Sequence, residues 1–348
     1  MASATKMPTK LWRQVPVLPR CPGNAGIQYR GFSLELSGYF VSDVICHHYP
    51  QSPVSEKVRV VFGIKDLRWC SVEIPRIPPK PDLMPLTGGY RRTPVMQVGA
   101  DVYCDSQCII AELERRFPEP TLYPGGAAGI AWGVSRWTDG DFFRQAVGVV
   151  LGSAIAELPP EFAADRGRLY FGPDFDLNQQ AADMPHLMAQ LRGQLAWADQ
   201  RLAGGRQFML GDDPGLQDAL VYYLVWFLKG RWSEGESFVS QFTHLSKWEA
   251  RVRNLGHGEP SDMSSEEALA IAREAEPRAE EGVDDNDPQQ LRVGQHIGVV
   301  PDGDGGDPVV TGELLFADAH RVTVVREDPQ VGRIATHFPR IGYRVTAL

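Results

Sequence analysis

The stretch from Val44 to Phe62 constrains the fold more than any other. An apolar run (Val44, Ile45) leads into a proline-bearing turn, Tyr49-Pro-Gln-Ser-Pro-Val-Ser-Glu-Lys-Val-Arg59, and then into a segment whose Val58, Val61 and Phe62 share one helical face. That order predicts a strand, a tight loop and a helix start. The first-turn N–H groups of such a helix, with the Ser52 and Ser55 hydroxyls, converge on one point where an anion would be held.

From there to Pro124, short apolar runs alternate with helical periods. Strands are expected over 44–48, 69–74, 94–98 and 101–103, helices over 55–64 and 106–117, and a proline-rich crossing (Pro75, Pro78, Pro79, Pro81, Pro85) lies among them. Interleaving at this scale predicts a small α/β domain over residues 41–124. Val98-Gly99-Ala100-Asp101 suits a tight hairpin. From Gly129 the helical period takes over in segments 132–151, 182–202, 216–228 and 237–252, which predicts an all-helical domain over 125–255. Gly215 stands at the cap position before the most apolar of these segments, with Asp218 three residues on.

Residues 256–288 are acidic and read as a solvated helix (264–275) and a linker. Beyond Pro288, five β-rich runs separated by Gly/Asp/Pro turns predict a small antiparallel, SH3-like barrel over 289–348 that folds independently. Its turn Asp302–Asp307 lacks the acidic last ligand of a calcium loop and reads as a flexible hairpin tip. Residues 1–40 read as a flexible leader, because Pro8, Pro16, Pro19 and Pro22 would break the amphipathic helix of an organelle-targeting segment.

Composition narrows the partners. A net charge of −9 argues against nucleic acid, whose binding needs a basic face. Five cysteines without a C-x-x-C pair suggest neither a disulfide framework nor a common zinc site, so reduced thiols in a cytoplasmic protein are expected. Cys46-His47-His48 points to alternate faces of a strand, and no metal is expected there. The longest apolar run, 219–228, is too short for a membrane span.

The order Ser52-Pro-Val-Ser-Glu-Lys-Val-Arg59, then Thr93-Pro94-Val-Met, then Tyr103-Cys-Asp105-Ser106 before a helix resembles the thioredoxin-like N-terminal domain of serine-type glutathione S-transferases. The resemblance covers 41–124 and implies the helical domain that follows. It implies an enzyme that activates the glutathione thiol for attack on a hydrophobic electrophile. The reaction would be alkyl or aryl transfer, or a glutathione-dependent lyase, dehalogenase or isomerase step, in detoxification and in a homodimer. It implies that Ser52, or alternatively Ser55, activates the thiol. Thr93 and the cis residue Pro94 would meet the cysteinyl part, and Asp105 and Ser106 the γ-glutamyl end. An electrophile between the domains would face Trp132, Trp137, Phe142 or Phe143. No cysteine stands at position 52, so redox chemistry is disfavoured. A thiol of pKa about 8.5 is only ~3% ionised at pH 7, and lowering it by about 2 units needs ~2.7 kcal/mol, within reach of a hydroxyl donor and a helix N-terminus. The competing reading is a non-catalytic protein that keeps the fold to bind a ligand or another protein.

Overall fold

A computed structural model describes residues 44–348 apart from residues 156 and 304. The 1–40 segment and Cys21 lie outside the described residues.

The first unit forms as expected. β1 (Ile45–His48) and β2 (Arg68–Glu73) run parallel around α1 (Pro53–Ile64). After α2 (Met84–Thr87), β3 (Val95–Val98) and β4 (Asp101–Cys104) make the hairpin, with β3 antiparallel to β1, and α3 (Ser106–Arg116) follows. Strand alternation splits the side chains between two cores. Val44, Cys46, Met96 and Tyr103 pack with α1 and α3, whereas Ile45, Val72, Val95 and Val102 face the other side. This is a thioredoxin-like unit.

The helical part comprises α4 (Ala128–Thr138), α5 (Asp141–Ser153), α6 (Pro160–Phe171), α7 (Leu177–Ala182), α8 (Met184–Leu202), α9 (Leu216–Arg231), α10 (Gly235–Ser240) and α11 (Thr243–Arg253). α9 is buried along most of its length and packs on α1, which extends the first core into the helices. Its cap explains the glycine. Asp218 accepts from Gly215 N and Met209 N, both at 2.9 Å, and from Trp248 Nε1 at 2.7 Å, while a Cβ at Gly215 would lie 2.8 Å from Pro124 Cδ. Serine does not fit where this helix start abuts Pro124.

The acidic stretch is more ordered than a linker. β5 (Glu259–Asp262) pairs in parallel with β2 and extends the sheet; α12 (Ser265–Arg273) then buries Ala268, Leu269 and Ala272 in the second core, and β6 (Gly282–Val283) pairs with β8. Ser264 caps α12 in the expected reciprocal pairing with Glu267.

The tail holds β7 (His296–Pro301), β8 (Val310–Ala317), β9 (Arg321–Asp328), β10 (Gly332–Pro339) and β11 (Tyr343–Ala347). Its neighbours run antiparallel in the order β11-β7-β8-β9-β10, the small β unit predicted. The tail does not form a separate sheet, because β10 pairs in parallel with β4. Tail residues Val299, Val324, Ile334 and Phe338 share one apolar cluster with Ile45 and Val102. The predicted flexible tip is corrected: Asp307 pairs with Arg92 at 2.5 Å and Arg91 at 3.6 Å. Among the described residues no helix is long and apolar enough to cross a membrane, and Cys46, Cys70, Cys104 and Cys108 are all buried.

Candidate functional site

The loop between β1 and α1 is fixed from beneath. Ser52 is the N-cap of α1, its Oγ accepting from Ser55 N at 3.1 Å. Ser55 Oγ is buried and has no hydrogen-bond partner among the described residues. Arg59, one turn further along, donates to the Pro50 carbonyl at 3.0 Å and is held by Glu56 at 2.6 Å and by His48 Nδ1 at 3.0 Å. Burial alone would raise the Glu56 pKa, but His257 and Arg59 outweigh it and hold the carboxyl below its ordinary value. Burial and the Arg59 charge push His48 down to about 3, so its imidazole stays neutral.

A cleft of about 310 Å³ opens beside this loop. Tyr49, Val54 and Lys57 line it from the loop and α1, Thr93 from before β3, and Asp105, Ser106 and Gln107 from the start of α3. The Thr93–Pro94 peptide is cis, and Lys80 Nζ donates to Thr93 Oγ1 at 2.9 Å. Burial, with Arg166 and Arg91 nearby, lowers the Lys80 pKa to about 7. Asp105 has φ +75°, a strained conformation for a residue with a side chain. Its Oδ1 accepts from Gln107 N at 2.8 Å and its Oδ2 from Tyr343 Oη at 3.0 Å. The carboxylate thus caps α3 and is oriented by the tail. Pro301, Asp302, Ile341, Gly342 and Tyr343 make the far wall.

The helical side contributes Arg136, Asp139, Phe143, Arg144, Arg166 and Tyr170. Lys57 Nζ bonds Asp139 at 2.6 Å, and Tyr223 and Ser135 donate to the same carboxylate at 2.9 and 2.8 Å. Six cationic side chains (Lys57, Arg91, Arg92, Arg136, Arg144, Arg166) and three acids (Asp105, Asp139, Asp302) line the cleft; Lys57 pairs with Asp139, and Arg91, Arg92 and Arg166 pair with Asp165 or Asp307 behind the wall, which leaves Arg136 and Arg144 without a carboxylate partner among the described residues. In a chain of net charge −9 that local excess favours an anionic, polar ligand.

A second cleft, of about 190 Å³, shares Tyr49, Arg166 and Tyr170 with the first. Its walls are mostly apolar, with Val147, Val150 and Leu151 of α5, Ala154 just past its end, Leu158, Phe162 and Phe227 among them. Tyr49 stands between the clefts, its hydroxyl accepting from Arg166 Nη2 at 3.2 Å.

Of the residues singled out in the sequence, Thr93, Asp105, Ser106 and Phe143 meet in the first cleft. Pro94 is buried behind Thr93, and Ser52 and Ser55 line neither cleft. Trp132, Trp137 and Phe142, expected to face an electrophile, line neither cleft. Trp137 stacks on Phe142 and donates to Gln194 at 2.6 Å, and Trp132 packs near Tyr123. Sequence reasoning missed Tyr49, Arg166 and the α5 stripe. The stripe was legible as Phe143, Val147, Val150, Leu151 and Ala154, spaced at helical periods.

A family model described as "Glutathione S-transferase, N-terminal domain" matches residues 47–121. Among solved structures, a GST-like protein from Pseudomonas syringae is 34% identical, with 88% of this chain and 99% of that chain covered and a TM-score of 0.69. A glutathione S-transferase from Rhodospirillum rubrum F11 is 20% identical over 60% of this chain and 87% of its own, at a TM-score of 0.46. FzlA from C. crescentus is 21% identical over 60% and 87%, at 0.45. No curated protein matches the chain.

Proposed function

Since the chain belongs to the glutathione S-transferase family, we propose that it is a glutathione transferase that binds the tripeptide in the larger cleft and activates its thiol toward an apolar electrophile. The observation that carries this reading is the meeting of Asp105 and Ser106, at the start of α3, with Thr93 in a cleft rich in cations. Glutathione has two carboxylates and one ammonium. Ser106 and the open N–H groups of the first turn of α3 suit the γ-glutamyl carboxylate, and Asp105 suits the ammonium beside it.

Tyr49 is the thiol donor in this reading, and Ser52 is the alternative derived from the sequence. Arg166 occupies a lone pair of the Tyr49 oxygen, which leaves the phenol proton free to donate to a thiolate. An electrophile would then lie in the second cleft, on the other side of the same hydroxyl. A cytoplasmic homodimer completes the proposal and rests on family resemblance; light scattering at micromolar concentration that gives a monomer mass would reject the dimer.

Calorimetry with glutathione tests the core of the reading. The Asp105→Ala, Ser106→Ala double variant is expected to bind at least tenfold more weakly than the native chain, and unchanged affinity would remove both residues from the site. A panel of electrophiles incubated with glutathione tests turnover. Tight glutathione binding without turnover of any of them would favour a ligand-binding protein.

A further inference from the structure

The second cleft is lined mainly by apolar side chains, with three arginines among them. Arg76 follows β2, Arg166 lies on α6 and Arg231 ends α9, and all three line it. No aspartate or glutamate is among the lining residues. Arg166 has Asp165 beside it at 3.2 Å, but that carboxylate is shared with Arg91 at 2.5 Å. Among the described residues neither Arg76 nor Arg231 has a carboxylate within ion-pair distance. The Arg76 and Arg166 guanidiniums both lie over the Phe162 ring, 4.3 and 5.3 Å from its centre. Burial and the charges of Arg166 and Arg231 pull the Arg76 pKa below its ordinary value, against the opposing influence of Tyr49.

Like charges gathered beside apolar side chains repel, and an anion placed among them relieves that repulsion. Stacking on Phe162 gives Arg76 and Arg166 a packing role, and Arg166 has a second one in holding Tyr49 and the Arg76 carbonyl. Arg231 has neither role among the described residues, so packing does not explain it.

We propose that the second cleft selects an amphipathic anion: an aromatic or alkyl body among Val147, Val150, Phe162 and Phe227, with a carboxylate or sulfonate held by Arg76, Arg166 and Arg231. The assignment rests on the transferase reading only in calling that molecule the electrophile. The binding site stands without it.

The experiment compares naphthalene-2-carboxylate with its methyl ester by calorimetry on the full chain in the absence of glutathione. The carboxylate is expected to bind at least tenfold more tightly, with the preference shrinking as salt rises. The Arg76→Gln, Arg231→Gln variant is expected to bind both compounds at the level of the ester, and Arg231→Gln alone, at an exposed side chain without a packing role, is expected to shrink the preference and to melt at the native temperature. Equal affinities in the native chain, no binding of either compound, or a preference that survives the double substitution would overturn the proposal. Glutathione titrated into the same preparation separates the two readings. Its failure to bind would sink the transferase reading while leaving an observed carboxylate preference intact, and the converse result would sink only the anion site.

Discussion

Tyr49 and Ser52 sit three positions apart on one loop, and the backbone between them decides which hydroxyl meets a ligand. Ser52 N donates to Tyr49 O at 3.1 Å, closing a turn that sends Ser52 Oγ onto the helix and leaves the Tyr49 ring facing both clefts. Tyr49→Phe is therefore expected to raise the pKa of bound glutathione, read from thiolate ultraviolet absorbance, by about one to two units, equivalent to roughly 1.4–2.7 kcal/mol. Ser52→Ala should cost about 1 kcal/mol of stability as a lost cap, with little change in that titration. Exchange of these phenotypes would restore Ser52 as the activating residue. The sequence made the loop legible but not its occupant, because a capping serine and a thiol-binding serine have the same neighbours. Burial also makes His48 a pH-dependent contributor to stability. Its folded pKa, about 3, lies below the ordinary 6.5, so the unfolded chain binds the extra proton first and stability falls as pH drops below 6.5. Between pH 7 and 5 that loss is about 2 kcal/mol. The stability difference between native and His48→Gln chains, from urea melts, should shrink by about this amount over that range; a constant difference would mean that His48 titrates normally.

At the scale of elements, α5 and β11 show what sequence could and could not deliver. The helical period over α5 was plain, but Phe142 and Phe143 differ by one position, about a 100° rotation, and which of them faces the cleft depends on how α5 packs. Phe142 turns into the stack with Trp137, and Phe143 turns to the cleft. The role of β11 had no signal in its own composition. Tyr343 reaches Asp105 only because β11 pairs with β7 and the turn before it lies against the start of α3, a contact spanning 238 positions. Burial and Asp105 push the Tyr343 pKa well up, so the phenol stays protonated and keeps donating. Tyr343→Phe is expected to weaken glutathione binding about three- to tenfold, roughly the value of one ordinary hydrogen bond because Tyr343 acts on the ligand through Asp105, while the melt moves little. A change in the melting transition with unaltered affinity would make the contact purely structural.

Across the whole molecule, one continuous sheet decides how the parts depend on each other. The composition shift after Pro288 lies between β6, which already pairs with β8, and β7, and composition carries no information about edge pairing. β4 would present a row of unpaired N–H and C=O groups, and β10 covers it: Ala335, Thr336 and His337 pair with Asp101, Val102 and Tyr103. His337 adds a buried bond to Asp101 at 3.0 Å, a second to Thr323 at 2.9 Å, and a ring stack on Tyr103 at 4.3 Å. A chain ending at Asp287 would expose that edge, leave Asp101 without its imidazole, and uncover Ile45, Val95 and Val102 where they pack in the cluster shared with the tail. Such a chain is expected to lose its cooperative thermal transition or to precipitate, and with Tyr343 gone it should bind glutathione no better than Tyr343→Phe does. The milder His337→Ala substitution in the full chain separates pairing from mere bulk. It removes a ring stack and two buried hydrogen bonds while keeping β10, so it should lower stability by about 2–4 kcal/mol with a transition that stays cooperative. A truncated chain that melts cooperatively and binds glutathione at native affinity would make the tail a separable module, and the fused sheet would then be an arrangement the rest of the chain does not need.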